Sequence, residues 1–362
     1  MDRYIKPIGG EFYFQHNIYN NEARNFVKNE NNMNFLSGGQ SSLAFIFQAL
    51  NLKEDEYVLI PSYLCPTMLI KLKESRIKYA FYSINKDLSI DINSIEDVLN
   101  EVNVKGILFV NYFGFYHSIS TRKYISSLKK RNIKIIEDSV QMLWFNKQNN
   151  FIGDFVFNSY RKFLPIDGSL LICNEKISLQ DTNHKYYEII NRARSSKTLC
   201  IGFNIGNEEE YLDLFNKAEE YYYEDLSPRK IDETSKKLLD NIDISYINKR
   251  RIDNFIYLEK SLEAIKEIKP LFSSTEIEAV PLGYVIFVEN RDELRRFLMK
   301  NRVYCPVHWN LKNEEWIEEY DNSLYISQRI LTIPIDQRYD IEDMKRIVNL
   351  IEEFYFTKRM CD

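Results

Sequence analysis

The sequence predicts an α/β protein, with a large domain built on a mostly parallel sheet covered by helices and a smaller C-terminal α+β domain. Three observations predict this fold. In the first half, short apolar runs typical of β-strands alternate with stretches of helical periodicity, which is the pattern of parallel sheets. Residues from about 180 to 268 have an almost wholly helical pattern, and the rest of the chain returns to mixed strands and helices. We expect the large domain over residues 1–225 and the smaller one, with a long connecting helix, over residues 226–362.

The predicted elements follow one another in a regular order. Strands are expected at "YVLIPSY" (57–63), "KYAFYSI" (78–84), "GILFVNYF" (106–113) and "IKIIEDS" (133–139). Helices are expected between them, at "SSLAFIFQAL", "PTMLIKLKES", "INSIEDVLNEV" and "ISTRKYISSLKKR". Two further strands, "FVFNSY" and "SLLICN", stand on either side of one turn. After the helical region come "GYVIFVEN", the helix "RDELRRFLMKN", "VYCPVHW", and a final helix after "LTIPIDQRYD".

The composition narrows the possible functions. The net charge is −5 and the pI about 5.7, so no basic surface indicates nucleic acid or an anionic membrane as a partner. The N-terminus lacks an apolar signal region, and no apolar run is long enough to span a bilayer. Four histidines lack metal-ligand spacing, so we expect no metal. The cysteines are scattered and odd in number, which indicates reduced thiols in a cytoplasm: Cys65, Cys173, Cys200, Cys305 and Cys361.

Three loops carry polar residues where a parallel sheet would bind a ligand, beyond the carboxyl ends of its strands. "LSGGQSSLAF" (36–45) opens a helix, and the free backbone N–H groups of a helix start suit a phosphate. Glu137 and Asp138 end an apolar strand. The turn between "FVFNSY" and "SLLICN" contains Arg161 and Lys162.

Each loop has an ordinary explanation when it is taken alone. The glycine turn would be only a helix start, Asp138 would cap the next helix, and Arg161 and Lys162 would be surface charges. Together they are what pyridoxal 5′-phosphate (PLP) requires: a helix N-terminus for the phosphate, a carboxylate that keeps the pyridinium nitrogen protonated, and a lysine that binds the cofactor covalently. We therefore predict PLP as the cofactor, with Lys162 and Asp138 as catalytic residues.

The segments around these loops resemble the DegT/StrS family of sugar aminotransferases, which are PLP-dependent enzymes of fold type I. The resemblance covers nearly the whole chain and rests on "GQSSL", "YVLIPSYLCPT", "NYFGF", "IIEDSVQ", "IGDFVFNSYRK" and "VYCPVHW". It implies a homodimer with shared active sites. The cofactor contacts that it implies are Gly39, Gln40, Ser41 and Ser159 at the phosphate, Asp138 at the ring nitrogen, Gln141 near the ring hydroxyl, Tyr63 and Cys65 along the ring, and Lys162 as the covalent link. On the substrate side it implies Tyr112, Arg161 and His308.

Three departures from the family pattern stand out. Lys162 follows Ser159 by three residues, where the family has five. The ring-stacking position, aromatic in many members, holds Cys65 here, and Tyr63 could supply the stack if the segment is extended, as the proline after Cys65 favours. The family's Asn-x-Arg segment, which reaches the phosphate site of the neighbouring subunit, is replaced by "SPRKIDETS", in which Arg229 could make that contact.

The function implied by the resemblance is transamination. An amino group would pass from an amino acid, glutamate in the family, to a keto group on a nucleotide-linked sugar used for a surface glycan or a secondary metabolite. Two alternatives stay open: a PLP enzyme with a non-sugar acceptor or another reaction, and a catalytically inactive PLP-fold scaffold. The lysine disfavours dehydration, for which relatives carry a histidine instead. A Rossmann domain fits poorly, because no GxGxxG follows a strand and "SGGQSS" follows a polar, asparagine-rich segment.

Overall fold

The computed structural model describes residues 5–20, 32–144, 150–176, 178–224 and 227–361. The strands are β1 (Ile8–Gly9), β2 (Met33–Leu36), β3 (Glu56–Pro61), β4 (Lys78–Tyr82), β5 (Asn103–Val110), β6 (Lys134–Asp138), β7 (Phe155–Phe157), β8 (Ser169–Ile172), β9 (Lys269–Pro270), β10 (Tyr284–Phe287), β11 (Val303–Tyr304) and β12 (Ile330–Ile333). The α-helices are α1 (Gly39–Leu50), α2 (Thr67–Glu74), α3 (Ile92–Glu101), α4 (Ile119–Ser127), α5 (His184–Phe203), α6 (Glu208–Glu224), α7 (Glu233–Leu239), α8 (Ile244–Leu262), α9 (Arg291–Lys300), α10 (Asp321–Arg329) and α11 (Ile341–Cys361).

The large sheet has seven strands in the order β2-β8-β7-β6-β5-β3-β4. Neighbouring strands pair in parallel along the series β7, β6, β5, β3 and β4, whereas β8 pairs antiparallel with both β7 and β2. The middle strands are buried on both faces, as Ile107, Leu108 and Phe109 of β5 show with at most 1% exposure. A continuous apolar run is what such a covered strand requires. The predicted mostly parallel sheet is therefore confirmed.

Helix starts agree with local sequence signals. The Asp91 carboxylate caps α3 by accepting from the backbone N–H groups of Asn93 and Ser94, and the Ser118 hydroxyl caps α4 by accepting from Thr121 N–H. These side chains satisfy N–H groups that the first turn of a helix leaves without an internal partner. They hold the helices at a defined start beside the sheet.

The structure corrects three details of the predicted element order. The segment before the "SGGQSS" loop contains a strand, β2, which pairs antiparallel with β8; residues 28–31 of that segment lie outside the described residues. The first predicted strand ends at Pro61, where the chain bends towards α2. The stretch "LTIPIDQRYD" contributes a strand, β12, in addition to preceding the last helix.

The C-terminal part has its own small antiparallel sheet, in the order β12-β10-β9. The N-terminal strand β1 pairs in parallel with β11, so residues near the start of the chain lie against its C-terminal part. The predicted division between residues 225 and 226 falls on residues outside those described, and it stays a prediction. No α-helix in the described ranges is long and apolar enough to cross a membrane.

Candidate active site

A cavity of about 140 Å³, which we call the sheet-edge cavity, lies where β3, β6 and β7 end and α1 and α2 begin. Its position agrees with the rule that ligands bind beyond the carboxyl ends of parallel strands. Eight of the predicted site residues line it: Gly39, Gln40, Cys65, Asp138, Gln141, Ser159, Arg161 and Lys162. It is also lined by Leu43, Thr67, Met68, Val140, Phe157, Tyr222 and Trp309.

Two helix N-termini meet at one part of this cavity. Gly39 and Gln40 begin α1, and Thr67 begins α2. The Gln40 amide Nε2 donates to Thr67 Oγ1 at 3.2 Å, which ties the two starts together. The first backbone N–H groups of a helix have no internal acceptor and carry the positive end of the helix dipole, so they suit a phosphate.

Ser41, predicted at the same phosphate, lies beside the sheet-edge cavity and does not line it. Its hydroxyl accepts from Arg229 N–H at 2.7 Å and lines a smaller cleft together with Gln40 and Arg229. The Arg229 guanidinium donates through Nη1 to the carbonyl of Asp181 at 2.6 Å. Arg229 thus lies next to the phosphate loop of its own chain.

Asp138 is a buried carboxylate at the end of β6 that faces the cavity. It is 2% exposed, accepts from Val140 N–H at 3.0 Å, and forms no ion pair with any residue that the structure describes. Burial raises its pKa from 3.8 to about 7, although the Val140 hydrogen bond and the charge of Lys162 lower it in part. A buried carboxylate in this state is stabilised by a cationic partner.

Glu137 points to the other side of β6, as successive strand residues do. Its carboxylate accepts from Asn111 Nδ2 at 2.9 Å and from the N–H groups of Ile152 and Gly153 at 2.7 and 2.9 Å. These contacts hold the neighbouring loop against the sheet. Of the two adjacent acids, Glu137 is therefore a structural group and Asp138 the one that lines the cavity.

Lys162 ends a single turn of 3-10 helix, Tyr160–Lys162, for which Ser159 is the N-cap. Side chains three residues apart eclipse one another in a 3-10 helix, so Ser159 and Lys162 are directed to the same side. Both line the sheet-edge cavity despite the short spacing. Burial lowers the pKa of Lys162 below its ordinary value, and the adjacent Arg161 guanidinium lowers it further.

Arg161 has partners of its own within the described chain. Its Nη1 pairs with the Glu219 carboxylate at 2.7 Å, and its guanidinium lies 4.5 Å from the centre of the Tyr222 ring. Both partners are on α6. Arg161 thus fixes the Lys162 turn against that helix.

A second and larger cavity of about 340 Å³, which we call the arginine cavity, shares Arg161 and Lys162 with the first. The remaining lining comes from the N-terminal segment Gly9, Gly10, Glu11 and Phe12 and from the C-terminal part of the chain: Arg251, Leu282, Arg295, Tyr304, Cys305, Pro306, His308, Thr332, Pro334, Asp336 and Arg338. Lys162 therefore connects the two cavities.

His308, predicted on the substrate side, lines the arginine cavity. Its Nδ1 lies 3.0 Å from Thr332 Oγ1, and burial, together with the charge of Lys162, lowers its pKa to about 3. The imidazole is therefore neutral at physiological pH. It can exchange hydrogen bonds with a substrate but adds no charge to the cavity.

Tyr63 and Tyr112 lie behind the two cavities and line neither. Tyr63 is fully buried; its hydroxyl donates to the carbonyl of His308 and accepts from Trp309 N–H at 2.8 Å. The Tyr112 hydroxyl donates to the carbonyl of Tyr63. These tyrosines hold the segment of His308 and Trp309 in place, and Trp309 supplies an aromatic ring to the sheet-edge cavity.

Sequence reasoning missed several residues that line the cavities. Trp309 stands beside His308 in the quoted "VYCPVHW", so an aromatic there was a visible signal. Thr67 follows the quoted Cys65–Pro66 pair, and its hydroxyl lies 3.1 Å from the Cys65 sulfur. Arg251 and Arg295 gave no comparable signal, because arginines on predicted helices are normally solvated. No cluster of three or more potential metal ligands occurs within the described residues.

Residues 15–166 match the model of the DegT/DnrJ/EryC1/StrS aminotransferase family, a range that contains the 36–45 loop, Asp138 and Lys162. The segments beyond residue 166, including "SPRKIDETS" and "VYCPVHW", lie outside that match. No curated protein sequence matches the chain.

Solved structures extend the similarity in fold to most of the chain. A DegT/DnrJ/EryC1/StrS aminotransferase from Brucella abortus aligns with a TM-score of 0.64 and 16% identity over 89% of this chain and 85% of its own. DesI, solved in the presence of its TDP-sugar product, aligns at 0.64 and 11% identity over 93% and 84%. Spr1654 from Streptococcus pneumoniae in its PLP form aligns at 0.63 and 16% identity over 94% and 91%.

At these identities the structures establish the fold, and they confirm the predicted fold type I of PLP-dependent transferases. The resemblance inferred from the sequence is thus confirmed: residues 15–166 carry the match to the DegT/DnrJ/EryC1/StrS aminotransferase family, and about nine-tenths of the chain has the fold of a solved member.

Proposed function

We propose that this protein is a PLP-dependent aminotransferase that moves an amino group from an amino acid, glutamate in the first instance, to a keto group on a nucleotide-linked sugar. The observation that carries the proposal is the placement of Asp138. It is a buried carboxylate without an ion-pair partner among the described residues, and it lines the same cavity as Lys162 and two helix N-termini. A protonated pyridine nitrogen would supply the missing partner.

The residues present fit the cofactor at each of its charged groups. The N-termini of α1 and α2 and the Ser159 hydroxyl offer donors to a phosphate, while Asp138 offers an acceptor to a ring N–H. Trp309 and Cys65 offer apolar contact for a ring between them and the sheet. When bound, PLP supplies an electron sink for the negative charge that develops on the reacting carbon.

Lys162 is suited to move the proton of the amino donor. Its lowered pKa raises the fraction of amine that is unprotonated near neutral pH, which a general base needs. Because it lines both cavities, its Nζ can take a proton from the α-carbon of a donor in the arginine cavity and return it in the opposite half-reaction. Asp138 meanwhile keeps a proton at the ring nitrogen through its own negative charge.

The nucleotide-linked sugar, the homodimer and the cytoplasmic location are further parts of the proposal. DesI, with its TDP-sugar product, supports the sugar, and the family resemblance supports the dimer. Cys65, Cys173, Cys200 and Cys305 are free thiols, which suits a reducing compartment. Sedimentation at a series of protein concentrations would test the dimer directly.

The function is tested by the visible absorption of purified protein titrated with PLP, before and after glutamate. We expect wild type to develop the band of lysine-bound PLP and to lose it with glutamate, and Lys162→Ala to show neither change. Lys230→Ala is the matched control, because Lys230 is exposed and pairs with Asp181 on the surface. Turnover by Lys162→Ala at the wild-type rate would refute the role of Lys162, and absence of any band in wild type would favour the inactive scaffold.

A further inference from the structure

The arginine cavity has a strong excess of positive charge. Five cationic side chains line it: Arg161, Lys162, Arg251, Arg295 and Arg338. Two carboxylates, Glu11 and Asp336, oppose them. A cavity of this charge is suited to an anionic ligand.

Most of this charge is already committed to protein partners. Arg338 forms a two-point ion pair with Asp336, with Nε–Oδ1 and Nη2–Oδ2 distances of 2.7 and 3.0 Å, and also donates to the carbonyls of Gly10 and Glu11. Arg161 pairs with Glu219, as described above. The cationic groups left for a ligand are therefore Arg251, Arg295 and Lys162.

Arg251 is the buried member of this set. It is 1% exposed, on α8, and within the described chain it forms no ion pair. Its Nε donates to Gln337 Oε1 at 3.1 Å, and its Nη1 donates to the carbonyls of Pro281 and Leu282, each at 3.1 Å. None of these bonds uses Nη2. A guanidinium held by neutral groups alone, with one nitrogen left over, is suited to a carboxylate.

The neighbours of Arg251 place it against the Lys162 turn. Its guanidinium carbon lies 4.6 Å from the ring centre of Phe163, the residue after Lys162. Gln337, which accepts from Arg251, donates in turn to the carbonyl of Phe163 at 2.6 Å. One buried amide thus sets the position of the guanidinium relative to the lysine.

We propose that Arg251 binds the α-carboxylate of the amino donor; this inference rests on the proposed function. The α-carboxylate is attached directly to the carbon from which Lys162 takes the proton, so its binding site must lie beside the lysine. The phosphates of a nucleotide-linked sugar are separated from the reacting carbon by several bonds. An anion site beside the Lys162 turn therefore matches the donor better than the acceptor. The remaining nitrogen of Arg251, Nη2, donates a charge-assisted hydrogen bond to the carboxylate there, which fixes the α-carbon in front of Lys162 Nζ.

The test measures binding of glutarate, an unreactive dicarboxylate that lacks the amino group, to the PLP-loaded protein by isothermal titration calorimetry. We expect Arg251→Gln to keep the PLP band and to bind glutarate about 10- to 100-fold more weakly, the loss typical of a hydrogen bond to a charged group. Arg251→Lys keeps the charge but lacks the guanidinium that Gln337 and the carbonyls of Pro281 and Leu282 hold in place, so its affinity for glutarate should fall between those of wild type and Arg251→Gln. Arg250→Gln is the matched control, since Arg250 is on the same helix, faces the Tyr246 ring and does not line the cavity.

Each outcome decides between clear alternatives. Equal glutarate affinity in wild type and Arg251→Gln overturns the assignment. A nucleoside diphosphate is titrated in parallel. If Arg251→Gln loses affinity for the diphosphate and not for glutarate, the site belongs to the phosphates of the acceptor, and the assignment to the donor carboxylate is overturned. If Arg251→Gln fails to fold, Arg251→Lys decides, because equal glutarate affinity in Arg251→Lys and wild type would overturn the assignment. Failure of wild type to develop the PLP band refutes the proposed function instead, and glutarate titrated into cofactor-free wild type and Arg251→Gln then tests Arg251 separately.

Discussion

The burial of Asp138 predicts that the cofactor-free protein becomes more stable when this carboxylate is replaced by its neutral isostere in Asp138→Asn. Burial raises the pKa of Asp138 from 3.8 to about 7. The folded state therefore binds the proton more tightly than the unfolded state, and ionisation costs stability as the pH rises between these two values. The cost is absent at pH values below both pKa values, and it reaches its full size above about pH 7. Asparagine removes it and keeps an oxygen that can accept from Val140 N–H.

The size of the effect follows from the two pKa values. At about 1.4 kcal/mol for each pKa unit, the difference between 3.8 and about 7 corresponds to about 4 kcal/mol in the free energy of unfolding near pH 8. Near pH 5 this carboxyl is still protonated in the folded state but mostly ionised in the unfolded state. The cost to the free energy of unfolding then follows from the difference between pH 5 and the unfolded pKa of 3.8, and it is about 2 kcal/mol. The stabilisation by Asp138→Asn should thus grow by roughly 2 to 3 kcal/mol between these pH values.

The assay is urea unfolding of cofactor-free protein at both pH values, followed by tryptophan fluorescence. Asp91→Asn is the matched control, because Asp91 caps α3 and asparagine caps a helix equally well, so its effect should stay within about 0.5 kcal/mol at either pH. With saturating PLP, wild type should become more stable than Asp138→Asn, since only wild type then gains the ion pair at the ring nitrogen. If Asp138→Asn is no more stable than wild type near pH 8 without cofactor, the argument from burial is wrong.

Two further substitutions test a contact beside the sheet-edge cavity and a contact on the other side of β6. A Cβ at Gly38 would lie 2.7 Å from the Tyr222 hydroxyl, so Gly38→Ala should displace that ring and weaken PLP binding roughly 10-fold, the cost of about 1–2 kcal/mol of overpacking. Gly202→Ala is the control, because nothing lies within 4 Å of a Cβ there, and it should leave PLP affinity unchanged. Equal PLP affinities for the two variants would contradict the Gly38–Tyr222 contact. Asn111→Ala removes the donor to the buried Glu137 carboxylate and should cost about 1–3 kcal/mol in urea unfolding, whereas a loss below about 0.5 kcal/mol would show that this carboxylate does not need the amide.

The parts of the site that the sequence predicted are those with a local physical signal. Asp138 ends an apolar strand, so its carboxylate had to be buried, and a helix start after two glycines had to present free N–H groups. Both signals lie within a few consecutive residues. The alternation of strands and helices likewise predicted that β3 to β7 pair in parallel, since the apolar pattern of each strand or helix can be read within that element alone.

The parts that the sequence could not predict depend on contacts between distant segments. Arg251 is 1% exposed although it lies on a helix with a charged pattern, because the carbonyls of Pro281 and Leu282 replace its water. Ser41 was expected at the phosphate, yet its hydroxyl is bound to Arg229 N–H from the segment after α6. Such pairings have no signature in either segment alone, and they decide which side chains remain available to a ligand.

The short spacing between Ser159 and Lys162 shows how local geometry can offset a departure from the family pattern. Because Lys162 is the third residue after Ser159 and the turn is 3-10, the two side chains project from the same side of the chain, where an α-helical turn would rotate them further apart. The turn is closed by Tyr160 N–H, which donates to the carbonyl of Gly168 at 2.9 Å. Gly168 has a φ of +136°, and a Cβ there would meet Ile231 at 2.6 Å, so the closing position requires glycine. Residues 165–169, "PIDGS", therefore supply the glycine that a tight return to β8 needs, and the lysine remains over the cavity.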